Sequence, residues 1–191
     1  METTKKNSVD RRLFMKTSLL ASGGILFGFN LLEALNPKAL VPTTVEDLNF
    51  HEFNAYIKIA ENGKVTLFSP NPEIGQGVKT SMPMLIAEEL DIAWDDVTVE
   101  QGKLDTLNYT RQVAGGSQSI RFGWLPLRQT GATARAMLVQ VAAQKWGVSA
   151  SSCHTKNGFV ISSTGEKLGY GDLVTAAAKL DIPTDVSLKN P

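Results

Sequence analysis

The chain has 191 residues, 42% of them hydrophobic, and its 19 basic and 19 acidic side chains cancel to zero formal charge. That suffices for one modest core, and with no basic excess there is no broad phosphate-neutralising surface of the kind nucleic-acid binding requires. One cysteine, Cys153, excludes an internal disulfide framework, and His51 and His154 offer no structural-zinc spacing.

In chain order, the first segment is charged and the second is apolar. Lys5, Lys6, Arg11, Arg12 and Lys16 face only Glu2 and Asp10, and the stretch from Thr17 to Leu32 carries no charge. Three glycines interrupt its apolar run, which falls short of the roughly 20 residues of a membrane span and reads as the hydrophobic region of a signal peptide. Asp10-Arg11-Arg12-Leu13-Phe14-Met15-Lys16 resembles the twin-arginine export motif. Residues 1–35 are therefore expected to be a twin-arginine signal and 36–50 a linker. Such a chain is exported folded, often with a cofactor already inserted, to a periplasmic or peripherally membrane-associated location.

Beyond the linker, Asn54 to Ala60 alternates as a strand, Glu61-Asn62-Gly63-Lys64 is a hairpin turn, and Val65 to Phe68 returns as a second strand. Two prolines and two glycines make Ser69 to Gly77 a shaped loop. Met84, Leu85, Ala87 and Leu90 predict a short amphipathic helix from Thr80 to Leu90, with Ser81 as its cap, Pro83 in its first turn and Glu88 and Glu89 on its solvated face. Val97 to Glu100 is a third strand, followed by a long loop from Gln101 to Gly116.

The longest helix is expected from Ser119 to Trp146, stopped by Gly147, with small residues at Gly131, Ala132, Ala134 and Ala136 for close backbone approach. A hairpin from Gly158-Phe159-Val160-Ile161 to Lys167-Leu168 and a small helix from Tyr170 to Leu180 follow. The resulting fold class is α+β, a mixed sheet of hairpins with two main helices. Trp94, Trp124 and Trp146 are assigned to the core. Most of Arg111, Arg121, Arg128 and Arg135 are assigned to solvated surface, with Arg128 and Arg135 on one helix face. Cys153 and His154 read as an ordinary loop or strand pair.

Two glycine-bearing loops, Glu73-Ile74-Gly75-Gln76-Gly77 and Ala114-Gly115-Gly116-Ser117-Gln118-Ser119, each precede a predicted helix. Unpaired amides at a helix start, and the positive end of its dipole, attract anions, and glycine lets a ligand approach the backbone. Ser117 and Ser119 add hydroxyl donors and Gln76 an amide. Neither loop is a Walker sequence or a full dinucleotide fingerprint, so a nucleotide hydrolase is disfavoured. Taken singly, each reads as a turn or cap, and Glu73 reads as a cap or surface group.

Glu73 to Thr80, Met84 to Leu90, Val97 to Glu100, Gly115 to Arg121, Pro126-Leu127-Arg128, Gly131 to Leu138, Asn157-Gly158 and Leu168 to Leu173 together resemble the molybdopterin-binding large subunit of the xanthine dehydrogenase and aldehyde oxidase family. The resemblance is nearest to an exported branch, of the isoquinoline 1-oxidoreductase beta-subunit type. It implies that residues 51–191 are part of a larger molybdopterin-binding domain. It also implies that Ile74, Gly75, Gln76 and Gly77 lie against the pyranopterin, Ile74 standing for the usual methionine. Gly115, Gly116, Ser117 and Ser119 would then meet the phosphate or pterin region, while Ala114 stands where relatives can have threonine.

The implied cofactor is a molybdopterin dinucleotide of the cytosine form, and the implied reaction is hydroxylation of an aldehyde or N-heterocycle. The implied partners are a separate 2Fe-2S small subunit, an electron acceptor such as a cytochrome, and the remainder of the large subunit, with no nucleic acid. Iron-sulfur ligation requires several cysteines, which this sequence lacks. The family's Gly-x-Gly-Glu motif with the catalytic base is also missing, so no catalytic residue and no metal ligand is assigned, and the chain alone is expected to be inactive. Members being several times longer, the chain reads as an amino-terminal portion whose surface toward the missing parts is apolar. The alternative is a truncated, exported, non-catalytic module that binds a protein partner or a small anion.

Overall fold

The computed structural model describes residues 50–109 and 111–190, with side chains from residue 55 onward. The expected signal, and the expected linker up to residue 49, lie outside the described residues.

Strand β1 (Phe50–Asn54) pairs antiparallel with β2 (Ile57–Ala60), Asn54 lying opposite Ile57. The strand expected from Asn54 is therefore broken: Ala55 and Tyr56 form the connection, and the first strand lies mostly before it. β2 pairs antiparallel with β3 (Val65–Ser69), and β3 pairs parallel with β4 (Val97–Gln101), giving the order β1-β2-β3-β4. Parallel neighbours cannot be joined by a tight turn. The crossover is made by helix α1 (Val78–Leu90) and a short 3-10 turn (Trp94–Asp96). Ile57, Ile59, Val65 and Leu67 are fully buried beneath it.

α1 starts two residues before the expected Thr80, which puts Ser81 inside the helix, its hydroxyl donating to the Gly77 carbonyl. Pro83 consequently falls in the second turn rather than the first, where its ring cannot supply the N-H to the carbonyl of Lys79. Val78, Met82, Ile86 and Leu90, at four-residue spacing, form its buried stripe. Helix α2 (Ser119–Trp146) matches its expected bounds and buries Leu127, Ala134, Leu138 and Val141.

The two helices touch backbone to backbone at Gly131. A Cβ added there would lie 2.5 Å from the Ile86 carbonyl oxygen and 2.9 Å from the Glu89 Cβ. Further toward the N-terminus, a Cβ at Gly123 would meet the Met82 methyl at 3.1 Å. Later residues of α2 thus meet later residues of α1, so the helices run the same way and start at the same end. α1 packs on the face of α2 that carries Gly123 and Gly131 and leaves the other faces of that helix to other neighbours or to solvent. Trp124, expected in the core, is 43% exposed, and Phe122 and Leu125 are also open, whereas Trp94 and Trp146 pack against the core's edge.

Glu89 departs from the expectation most sharply. Glu88 is exposed, as a helix-face charge usually is, but Glu89 is fully buried. Arg128 and Arg135, sharing a face of α2, reach over it: Arg128 Nη2 lies 2.7 Å from Oε1 and Arg135 Nη2 3.5 Å from Oε2. These two arginines are therefore mostly covered rather than solvated. The backbone N-H of Lys189 donates to the second carboxylate oxygen at 3.1 Å. Arg128 and Arg135 donate onward to the carbonyls of Lys189 and Ser187, strapping the tail to the helix pair.

A second, antiparallel sheet contains β5 (His154–Lys156), β6 (Phe159–Ile161) and β7 (Lys167–Gly169) in that order. It leads into α3 (Tyr170–Ala177), which ends three residues before the expected Leu180 and buries Tyr170, Leu173, Val174 and Ala177. The Tyr170 hydroxyl donates to the Leu90 carbonyl at 2.6 Å, tying this layer to the end of α1. Among the described residues, no His/Cys/Asp/Glu cluster could hold a metal ion and no helix is long and apolar enough to cross a membrane.

Two substitutions test this packing in urea unfolding of the purified protein. Gly131→Ala forces a methyl into α1 backbone and should cost about 1–3 kcal/mol. Glu89→Ala leaves two covered guanidinium groups without their carboxylate and should cost about 3–5 kcal/mol.

Candidate functional site

Because α1 and α2 start at the same end, the two glycine loops preceding them are brought together. They share a hollow of about 370 Å³ lined by Ile74, Gln76, Val78 and Ser81 on one side and Gly115, Ser117, Gln118, Ser119 and Ile120 on the other. Of the residues singled out from sequence, Ile74, Gln76, Gly115, Ser117 and Ser119 line it directly. Gly75, Gly77 and Gly116 shape the bends, with φ of 94°, 77° and 63°. A larger hollow of about 630 Å³, bordered by Glu61, Asp95, Asp96 and Asp172, contains no residue of either loop.

The loops differ in chemistry. At the first, the Glu73 carboxylate folds back over the start of α1: Oε1 accepts from the N-H groups of Gly75 at 2.7 Å and Gly77 at 3.0 Å, and Oε2 from that of Lys79 at 2.9 Å. Glu73 is thus the cap, a role expected also of Ser81, and it takes amides that an incoming anion would need. Donation by the Lys79 and then the Gly77 N-H holds this carboxyl below its ordinary pKa of 4.5. Gln76 is folded onto the same loop, accepting from the Ile74 N-H at 2.7 Å and donating to the Pro72 carbonyl at 3.0 Å. Each end of its amide keeps one unused hydrogen-bonding capacity. Ile74 projects into solvent at 73% exposure.

At the second loop, no acidic residue lies in the first turn of α2 and the residue preceding the helix, Gln118, makes no side-chain cap. The positive end of this long helix is not neutralised as that of α1 is. The guanidinium groups of Arg111 and Arg121 stand 5.4 Å and 5.8 Å from the Phe122 ring, adding cationic charge beside it, and Arg111 donates to the Gln118 side chain. Ser117 holds a left-handed φ of 54°, unusual for a residue with a side chain.

Between the loops stands Asn71, in a Pro-Asn-Pro turn to which the residue pattern alone assigns no role. It is 2% exposed; its Nδ2 donates to the Ser119 hydroxyl at 2.8 Å and to the Val113 carbonyl at 3.1 Å. Its Oδ1 is buried without a partner. The bonds span 42 and 48 residues of sequence, so no local pattern could have revealed them.

A family model described as the molybdopterin cofactor-binding domain matches residues 34–189. The chain belongs to that family. It is 35% identical over 130 residues to the beta subunit of isoquinoline 1-oxidoreductase from Brevundimonas diminuta, covering 64% of this chain and 17% of that relative. It is 31% identical over 182 residues to a subunit of nicotinate dehydrogenase from Pseudomonas putida, covering 91% of this chain and 15% of the relative. Among solved structures, quinoline 2-oxidoreductase from Pseudomonas putida 86 superposes with a TM-score of 0.52 at 22% identity, over 63% of this chain and 15% of that one, a likeness of fold. The chain therefore spans under a fifth of the length of these relatives, and its α+β architecture is that of a partial molybdopterin-binding domain of molybdenum hydroxylases.

The site's own features fit such a group. The uncapped start of α2 favours negative charge, and behind Ser119, outside the hollow's own lining, the buried Asn71 oxygen is free to accept from a donor. Backbone at Gly75, Gly77 and Gly115 is open, with nothing within 4 Å of where a Cβ would stand. The first loop fits through Gln76 and Ile74 rather than through the amides that Glu73 occupies.

Because its pKa is lowered on folding, Glu73 contributes stability that is complete above the ordinary carboxylate value of 4.5 and is lost as the pH falls through the lowered one. Glu73→Gln should therefore melt below the parent at pH 7, and the gap between the two should narrow in melts repeated at pH 4.5 and pH 3.

Proposed function

We propose that this chain is the amino-terminal portion of the large subunit of an exported molybdenum hydroxylase, and that the hollow between its glycine loops takes part of a molybdopterin dinucleotide of the cytosine form. One observation carries the reading: two loops separated by some forty residues of sequence line a single hollow, one offering a glutamine amide and an apolar side chain, the other two serine hydroxyls at an uncapped helix start. When bound, the cofactor supplies the redox chemistry of hydroxylation.

In this reading Ser117, Ser119 and the first-turn amides of α2 meet phosphate oxygens, with Arg111 and Arg121 attracting the charge. Gln76 uses its spare N-H and lone pair on the pterin side, and Ile74 gives apolar cover. Glu73 holds the first loop in shape and takes no proton from substrate. A hollow of about 370 Å³ lies at the lower end of ligand-pocket volumes, so the remainder of the large subunit closes over the rest of the group. The open side chains of Phe122, Trp124 and Leu125 provide apolar surface for that remainder.

The substrate is an aldehyde or an N-heterocycle, and electrons leave through a separate 2Fe-2S subunit to an acceptor such as a cytochrome. The twin-arginine motif at Arg11-Arg12 supports export to a periplasmic or peripherally membrane-associated location. Elemental analysis of the purified full-length gene product tests the reading. About one molybdenum per chain is expected, falling by roughly tenfold in a Gln76→Ala/Ser117→Ala variant that loses hydrogen bonds to a charged group. A metal-free product from a host that makes the cofactor would overturn it.

A further inference from the structure

The structure assigns to Asn71 a part in the proposed site that no motif records: it is a positioning residue that turns the Ser119 hydroxyl into a hydrogen-bond donor aimed at an anionic ligand. This inference rests on the cofactor reading for the ligand's identity, but its geometry stands on this chain alone.

The orientation of the Asn71 amide is set by its surroundings. With the amide reversed, Oδ1 would face the Val113 carbonyl oxygen, two acceptors in contact, so the nitrogen must lie there. That nitrogen has two hydrogens, and the Val113 carbonyl and the Ser119 Oγ use both. Ser119 Oγ is thereby an acceptor toward Asn71, and its own hydrogen must point elsewhere. Ser119 makes no other side-chain hydrogen bond among the described residues, and it lines the hollow between the loops. Its proton is thus left for an acceptor such as a phosphate oxygen, at a helix start that already favours negative charge.

The same two bonds brace the second loop, at Val113 and Ser119, against the first, at Asn71. The carbonyl oxygen left over is buried and unpartnered beside a small cavity of about 50 Å³, which also borders Ser119. A buried acceptor without a donor is costly. An N-H or O-H group of a ligand or a water in that cavity can meet it.

The test uses the full-length protein purified from a host that does not make the cofactor, with inorganic pyrophosphate as the probe, titrated by calorimetry, and the same protein from a cofactor-making host for molybdenum content. Asn71→Leu, which keeps the bulk and removes the amide, and Ser119→Ala should each weaken pyrophosphate binding by about 5- to 10-fold. The Asn71→Leu/Ser119→Ala double variant should bind no worse than the weaker single one, because Asn71 then has no hydroxyl to orient. A fold defect would instead multiply the two losses, and multiplied losses overturn the inference, as does parental affinity in Asn71→Leu or a parent protein that takes up neither pyrophosphate nor molybdenum. If the parent carries no molybdenum but binds pyrophosphate with this coupled pattern, the cofactor reading fails and the role of Asn71 stands.

Discussion

The contact of α1 and α2 at Gly131 governs the rest of the molecule. There the two backbones come closer than any side chain would permit, and the approach locks the helices side by side with their starts at one end. Buried Glu89, clasped by two arginines of α2, belongs to the same contact and draws in residues 187–189 as well. Either helix could form its own apolar stripe without the other. The register between them, and with it the meeting of two distant loops, depends on a missing methyl group and on a buried carboxylate that binds both arginines.

Bringing two helix starts together concentrates positive potential in one place, and the chain treats the two differently. Glu73 caps one with its own carboxylate, a device that makes the first loop rigid without help from any ligand. The other lacks any such cap and is flanked by guanidinium groups. An anion is therefore drawn to one side of the hollow, while the opposite wall offers an amide and an aliphatic side chain. This polarity suits a ligand that is charged at one end and has an apolar or amide-bonding part at the other.

Much of this is legible in the residues. The long helix from Ser119 to Trp146, the hairpins and the glycine loops follow from periodicity and turn chemistry, which act over a few residues. The break at Ala55-Tyr56 is not legible, because the alternation continues through it and only pairing with Phe50 to Asn54 reveals the turn. Nor is the exposure of Trp124, because helical spacing says which residues share a face but not which face is covered, and α1 packs on the face of α2 that carries Gly123 and Gly131.

The sequence by itself determined the long helix, most of the hairpin strands, where glycine bends the backbone, and which side chains of the two glycine loops can make hydrogen bonds. Only the tertiary structure decided which of those groups are free. It committed the amides of the first loop to Glu73, placed Glu89 beneath Arg128 and Arg135, and set Asn71 between two loops far apart in the chain. Local preferences fix the shape of a segment, whereas the occupancy of a hydrogen-bonding group depends on which distant residue packing carries to within about 3 Å of it.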